Sequence, residues 1–175
     1  MLSIDLNCDL GEGSGNDAEI MPFISSANIA CGYHASDEKM MFETIGLAMQ
    51  NNVAIGAHPS FKDKENFGRK EYILGMDEYY ELIINQLEKI RKIAVQCSAR
   101  LHHVKPHGAL YNLSARQQPV AAIIAKAVYD FDNKIIVYGL SQSHSVSEAE
   151  KLGLKTANEI FADRTYQDDG SLTPR

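Results

Sequence analysis

Short apolar runs alternate with helix-patterned stretches along the chain, and this alternation limits the fold more than any other feature. Parallel strands need a crossover between them, and a helix usually supplies it. The pattern therefore predicts an α/β fold with a mainly parallel sheet. Strands are expected at 3–10, 29–31, 53–57, 101–104, 134–138 and 154–157. In the first, Ile4, Leu6, Cys8 and Leu10 alternate with Asp5, Asn7 and Asp9. Helices are expected from Ser36 or Asp37 to about Asn51, from Asp77 to Ser98, from Pro119 to Tyr129 and from Ser145 to Leu152. The longest repeats Tyr80, Ile83, Leu87, Ile90, Ala94 and Cys97 at helical spacing, which marks a core face. From Phe161 to Arg175 the pattern is polar loop, with no element after it to cover the last strand. The expected fold is one domain over 1–175 that lacks its C-terminal closing elements.

Composition narrows the function. The net charge of −6 argues against nucleic acid or an anionic membrane surface, because both select a basic face. No stretch approaches the roughly 20 apolar residues of a membrane span, and the first residues carry no basic leader. The three cysteines, Cys8, Cys31 and Cys97, are odd in number and widely spaced, which fits a reducing cytoplasm better than a disulfide framework.

Polar residues collect where the apolar strands stop, and in α/β folds those ends hold the ligands. The first cluster is Asp5-Leu6-Asn7-Cys8-Asp9-Leu10-Gly11-Glu12. Strand alternation puts Asp5, Asn7 and Asp9 on one face, where carboxylates need a partner, a ligand or water. The competing reading is an edge strand with its polar face in solvent. The loop Gly11-Glu12-Gly13-Ser14-Gly15 lacks the spacing of a nucleotide cradle, and its acidic flank repels phosphate. His34 precedes a helix and His58 ends a strand. With Asp9 they make a candidate facial metal set, for which zinc is one ion; ordinary polar loop histidines are the alternative. Further along, Lys105 and His107 flank Pro106 and suit an anionic substrate or a developing oxyanion. His102 and His103 point to opposite faces and read as structural. Asp163 and Arg164 read as an ion pair at a strand end, or Arg164 as a carboxylate clamp. No serine stands in a nucleophile elbow.

Six stretches carry a resemblance. They are Asp5 to Glu12, Asn28-Ile-Ala-Cys-Gly-Tyr-His-Ala35, Gly56-Ala-His-Pro59, Phe67-Gly-Arg69, Val104-Lys-Pro-His-Gly-Ala-Leu-Tyr-Asn112, and Phe161-Ala-Asp-Arg164 with Asp169-Gly170. In this order they resemble the LamB/YcsF family, which supplies A subunits of bacterial 5-oxoprolinases. The resemblance implies a seven-stranded β/α barrel similar to the glycoside hydrolase/polysaccharide deacetylase group. It implies ATP-dependent opening of 5-oxo-L-proline to L-glutamate, in complex with subunits B and C. Family members also continue beyond the length of this chain, and where they read Gly-Asp-Pro this chain reads Ser36-Asp37-Glu38. On this reading Asp9, Lys105, His107 and Asp163 are the expected catalytic groups. Asn7, Glu12, Tyr111 and Arg164 are the expected substrate contacts, and Asp9, His34 and His58 the candidate ligands of a divalent metal. Two other readings stay open: a stand-alone metal-dependent deacetylase or amidohydrolase, and a non-catalytic small-molecule binding protein.

Overall fold

The computed structural model of the protein describes residues 4–173. Six strands run parallel and lie side by side in chain order: β1 (Asn7–Leu10), β2 (Ser26–Ala30), β3 (Ala54–His58), β4 (His103–Val104), β5 (Ile136–Leu140) and β6 (Lys155–Glu159). A sheet that never reverses its strand order winds as a barrel does, not as a doubly wound sheet. Side chains confirm the curl. Asn7 on β1 donates to Glu159 on β6 at 3.0 Å, and the hydroxyls of Ser26 on β2 and Tyr138 on β5 lie 3.3 Å apart. A flat sheet would hold these strands about 24 Å and 14 Å apart, at roughly 4.8 Å per strand. The fold is thus a curled parallel half-barrel of the expected α/β class. It has six strands among the described residues, where the resemblance implies seven.

Helices fill every crossover. They are α1 (Asp17–Ile20) with a 3-10 turn at Met21–Phe23, α2 (Glu38–Gln50), α3 (Met76–Gln96), α4 (Gly108–Arg116), α5 (Gln118–Phe131) and α6 (His144–Lys151). Asp37 starts α2 as expected, its side chain accepting from the Met40 amide at 2.8 Å. The start of α3 differs. Gly75 is its cap, and Glu78 accepts from the Gly75 amide at 2.6 Å, so Asp77 lies inside the first turn. Two helices were not anticipated, α1 and α4. The α4 cap, His107, makes no side-chain cap bond, and Lys-Pro-His-Gly reads as loop in the sequence. Strand β2 begins three residues before its expected start because its inward residues, Ser26 and Asn28, are polar and hide it from an apolar-run search. Ser3, the expected first residue of β1, lies outside the described residues.

The core lies outside the half-barrel, between sheet and helices. Leu10, Ile29, Ile55, Ala57, Val104 and Val137 pack against Met41, Ile45, Ile83, Leu87, Ile90, Ile124 and Val128. The inner face is polar instead. Along one inward row the register aligns Asp9, Asn28, Gly56 and His103 on four adjacent strands. Gly56 is the gap in that row. A Cβ there would sit 2.0 Å from His103 Nε2, so only glycine lets that ring reach Asn28. The Gly56→Ala variant is expected to lose about 1–3 kcal/mol of stability through this overpacking. Urea unfolding measures it, and a wild-type midpoint would remove the packing argument.

Candidate active site

Four residues from four consecutive strand ends meet at one point. Glu12 follows β1, His34 follows β2, His58 ends β3 and His107 follows β4. Their ligand atoms all lie within 4.8 Å of one another. Glu12 Oε1 is 2.9 Å from His34 Nε2, 3.5 Å from His107 Nδ1 and 3.9 Å from His58 Nε2. Each ring's other nitrogen is engaged outside the cluster. His58 Nδ1 donates to the Lys105 carbonyl at 2.7 Å, and His107 Nε2 donates to the Phe67 carbonyl at 2.9 Å. Ser60 donates its own hydroxyl to the Phe61 carbonyl and so accepts from His34 Nδ1 at 2.8 Å.

These outer bonds settle the tautomers. The carbonyls can only accept, so the outward nitrogens of His58 and His107 carry a proton, and Ser60 orients His34 the same way; in a neutral ring the lone pair then points inward. His58 Nε2 and His107 Nδ1 face each other at 2.9 Å, and the Glu12 carboxylate stands beside both. Burial and the neighbouring His58 push His34 down to about 3, and burial with His58 and His34 does the same to His107, so both rings are neutral near pH 7. With all three rings neutral, three inward lone pairs and a carboxylate repel unless a proton or a metal cation joins them. Outer-shell partners that fix the tautomer are the hallmark of histidine metal ligands. The donor set therefore fits a divalent metal. It differs from the expected set by one exchange and one addition, because Glu12 and His107 stand with His34 and His58 while Asp9 lies beside them.

Asp9 belongs to the adjoining group. Its Oδ2 is 3.4 Å from His58 Nε2 and its Oδ1 accepts from Asn28 at 2.9 Å and from Lys105 at 3.3 Å. Burial alone would raise its carboxyl, but His58, Lys105 and Asn28 outweigh burial and hold it well below the usual carboxylate range. The side chain is still 37% exposed, toward the cavity, so an ionised oxygen is open to a ligand. Lys105 is only 5% exposed. Its ammonium meets three acceptors, one for each hydrogen: Glu159 at 2.6 Å, Asn7 at 3.0 Å and Asp9. Burial would lower Lys105, but Asp9 and Glu159 more than compensate, so it stays charged. Tyr111 donates to the other Glu159 oxygen at 2.8 Å, and burial with that carboxylate pushes its phenol upward.

Both groups line one cavity of about 1000 Å³. Of the expected residues, Asp9, Lys105, His107, His58, Tyr111 and Arg164 line it; Asn7 bonds to Lys105, Glu12 stands 3.5 Å from His107, and His34 bonds to Glu12 and stacks on the His107 ring. Asp163 sits in an exposed turn after β6 and is not on the cavity wall. Three contributing residues went unassigned in the sequence. Glu159 anchors Lys105. Asn28 bridges Asn7 and Asp9 through its amide nitrogen, at 2.7 and 2.9 Å, while its oxygen faces His103 Nε2 at 2.8 Å. Gln86 of α3 grips Ser60 from both sides, accepting from its amide and donating to its carbonyl at 2.9 Å each. Its polarity within the apolar face Tyr79, Ile83, Leu87 and Ile90 is the signal that could have found it.

A parallel β/α half-barrel whose strand ends bring three histidines and several carboxylates to one cavity has the makings of a hydrolytic enzyme. The chain belongs to the LamB/YcsF family, whose pattern it matches over residues 4–175. Among curated relatives it is 50% identical to the 5-oxoprolinase A subunit of Clostridium kluyveri and 52% identical to that of Shouchella clausii. Each match covers 100% of this chain and 71% of the relative. The fold also superposes on the crystal structure of the lactam utilization protein from Thermus thermophilus, with a TM-score of 0.94 and 40% identity over 99% of this chain and 72% of that one. No helix among the described residues is long and apolar enough to cross a membrane.

The neutral histidines set a pH dependence. Between about pH 6.5 and 3 an unfolded chain protonates His34 and His107, whereas the folded chain keeps them neutral. Protons then favour unfolding, so metal-free protein is expected to lose stability as pH falls through this window. Denaturant titrations across the range measure the slope, and the His34→Gln/His107→Gln double variant is expected to flatten it.

Proposed function

We propose that the chain is the A subunit of an ATP-dependent 5-oxoprolinase, which opens 5-oxo-L-proline to L-glutamate together with subunits B and C. The observation that carries this reading is the ionised Asp9 carboxylate, open to the cavity and side by side with the Glu12, His34, His58 and His107 cluster. The names of the relatives support the substrate. A five-membered lactam is a nearly unstrained amide, so its opening gains little, and coupling to ATP in the assembled complex supplies the drive.

On this reading Asp9 orients the attacking water and takes its proton. Lys105 and Asn28 keep Asp9 ionised and aimed, and Glu159 holds Lys105 in place. Tyr111 and Arg164 shape the adjoining wall, Asn7 backs it through Lys105, and Asp163 stands outside this arrangement. Glu12, His34, His58 and His107 would hold a divalent cation, which when bound supplies a Lewis acid for the lactam carbonyl. A second reading rests on that same cluster: a stand-alone metal-dependent amidohydrolase or deacetylase. Turnover without ATP or partner subunits, abolished by chelation, selects it over the first.

In the reconstituted complex, Asp9→Asn is expected to cut 5-oxoproline turnover by roughly a hundredfold or more, the range of a lost general base. Full activity of this variant would sink the assignment. Calorimetric titration with zinc or cobalt is expected to show one ion per chain. His58→Ala is expected to weaken it by at least roughly tenfold, and an unchanged isotherm would remove the metal from the site.

A further inference from the structure

We infer that Arg69 is the residue that binds the substrate's carboxylate. This rests on the 5-oxoproline reading above and extends it to a residue with no assigned role.

The substrate's own chemistry sets the requirement. In 5-oxoproline the carboxylate carbon is three bonds from the lactam carbonyl carbon, through the ring nitrogen and Cα. A carbonyl placed at the histidine cluster therefore brings the carboxylate within a few ångströms of it. The site must supply a cation there, with hydrogens free to donate.

Among the described residues, four permanently cationic side chains line the cavity: Arg69, Lys105, Arg116 and Arg164. Three are engaged. Lys105 has an acceptor for every hydrogen. Arg116 is gripped by both oxygens of Glu71. Arg164 donates to the Thr173 carbonyl and belongs to the wall formed by the segment after β6. Arg69 makes no side-chain hydrogen bond and no ion pair among the described residues, and its guanidinium lies 5.2 Å from the centre of the Phe67 ring.

Its base is fixed while its head is free. The Phe67 carbonyl accepts from His107, the Gly68 carbonyl accepts from the Ala109 amide at 3.0 Å, and the Arg69 amide donates to the Asn66 carbonyl at 3.0 Å. Phe67 and Gly68 are both left-handed, at φ 56° and 63°, and this carries the chain tightly past the cluster. A Cβ at Gly68 would lie 2.9 Å from His34 Cβ and 3.1 Å from His107 Cδ2. Gly108 is tied to the same contact, because a Cβ there would meet the Gly68 carbonyl at 2.7 Å. Arg69 thus leaves the backbone directly beside two of the candidate metal ligands. A Cβ at Gly108, the residue after His107, would lie 3.7 Å from Arg69 Cγ, so the side chain runs along the cavity wall on the cluster's side. A guanidinium in that position can take a carboxylate with two parallel hydrogen bonds.

The test compares 5-oxo-L-proline with 5-oxo-L-prolinamide, the same ring carrying a neutral carboxamide, on the complex assembled with its partner subunits. Steady-state KM is measured for the acid, and the inhibition constant for the amide. Arg69→Ala is expected to raise KM for the acid roughly ten- to a hundredfold, the size of a lost charge-assisted pair, and to leave the amide constant unchanged. Arg69→Lys, which keeps the charge and loses the fork, is expected to fall between. Equal weakening of both compounds by Arg69→Ala would show a loss of site shape and overturn the proposal. So would an unchanged KM for the acid. A wild-type complex that neither turns over the acid nor is inhibited by the amide would overturn the functional reading itself.

Discussion

The buried ammonium of Lys105 holds this structure's inner face together. It binds Asn7 and Asp9 on the first strand and Glu159 on the last, and so joins the two ends of a six-stranded sheet that share no backbone pairing. Removing one partner from a buried charge group leaves the other desolvated and unpaired, typically at a cost of about 3–5 kcal/mol. With the partners in place, the charges offset one another and the curl is fixed. The cavity, the cluster and the aim of Asp9 all follow from that curl.

The site is arranged in nested layers. Nearest the cavity are Asp9 and the Glu12, His34, His58 and His107 cluster. Behind them stand groups whose work is orientation. The Lys105 and Phe67 carbonyls and Ser60 fix which nitrogen of each ring faces inward. Further out, Gln86 fixes Ser60, His103 fixes the turn of the Asn28 amide, and Gly56 makes room for His103. These outer groups are neutral and hydrogen-bonded, so they add rigidity without adding charge.

Much of this was legible in the sequence. The alternation of apolar runs and helical stretches identified a parallel α/β sheet, and every strand from β1 to β6 overlaps its expected position. Alternation also put Asn7 and Asp9 on the inner face, where the structure has them. Helix α4 escaped because its start lacks a capping side chain, and the start of β2 escaped because an inward polar face leaves no apolar run. Glu159 lay within a recognised polar cluster, but nothing local distinguished it from its neighbours.

By itself the sequence determined the class of fold, the ends of strands where polar groups collect, and most of the residues that the structure brings to the candidate site. These depend on periodicity and on residue type, which are local properties. Only the tertiary structure decided the grouping: that Glu12 and His107 join His34 and His58, that Asp9 stands beside them, and that Lys105 is spent on three acceptors while Arg69 is not. Those outcomes depend on the curl of the sheet and the register of its strands. Both are set by contacts between residues up to 152 positions apart, such as Asn7 and Glu159, and no local pattern encodes them.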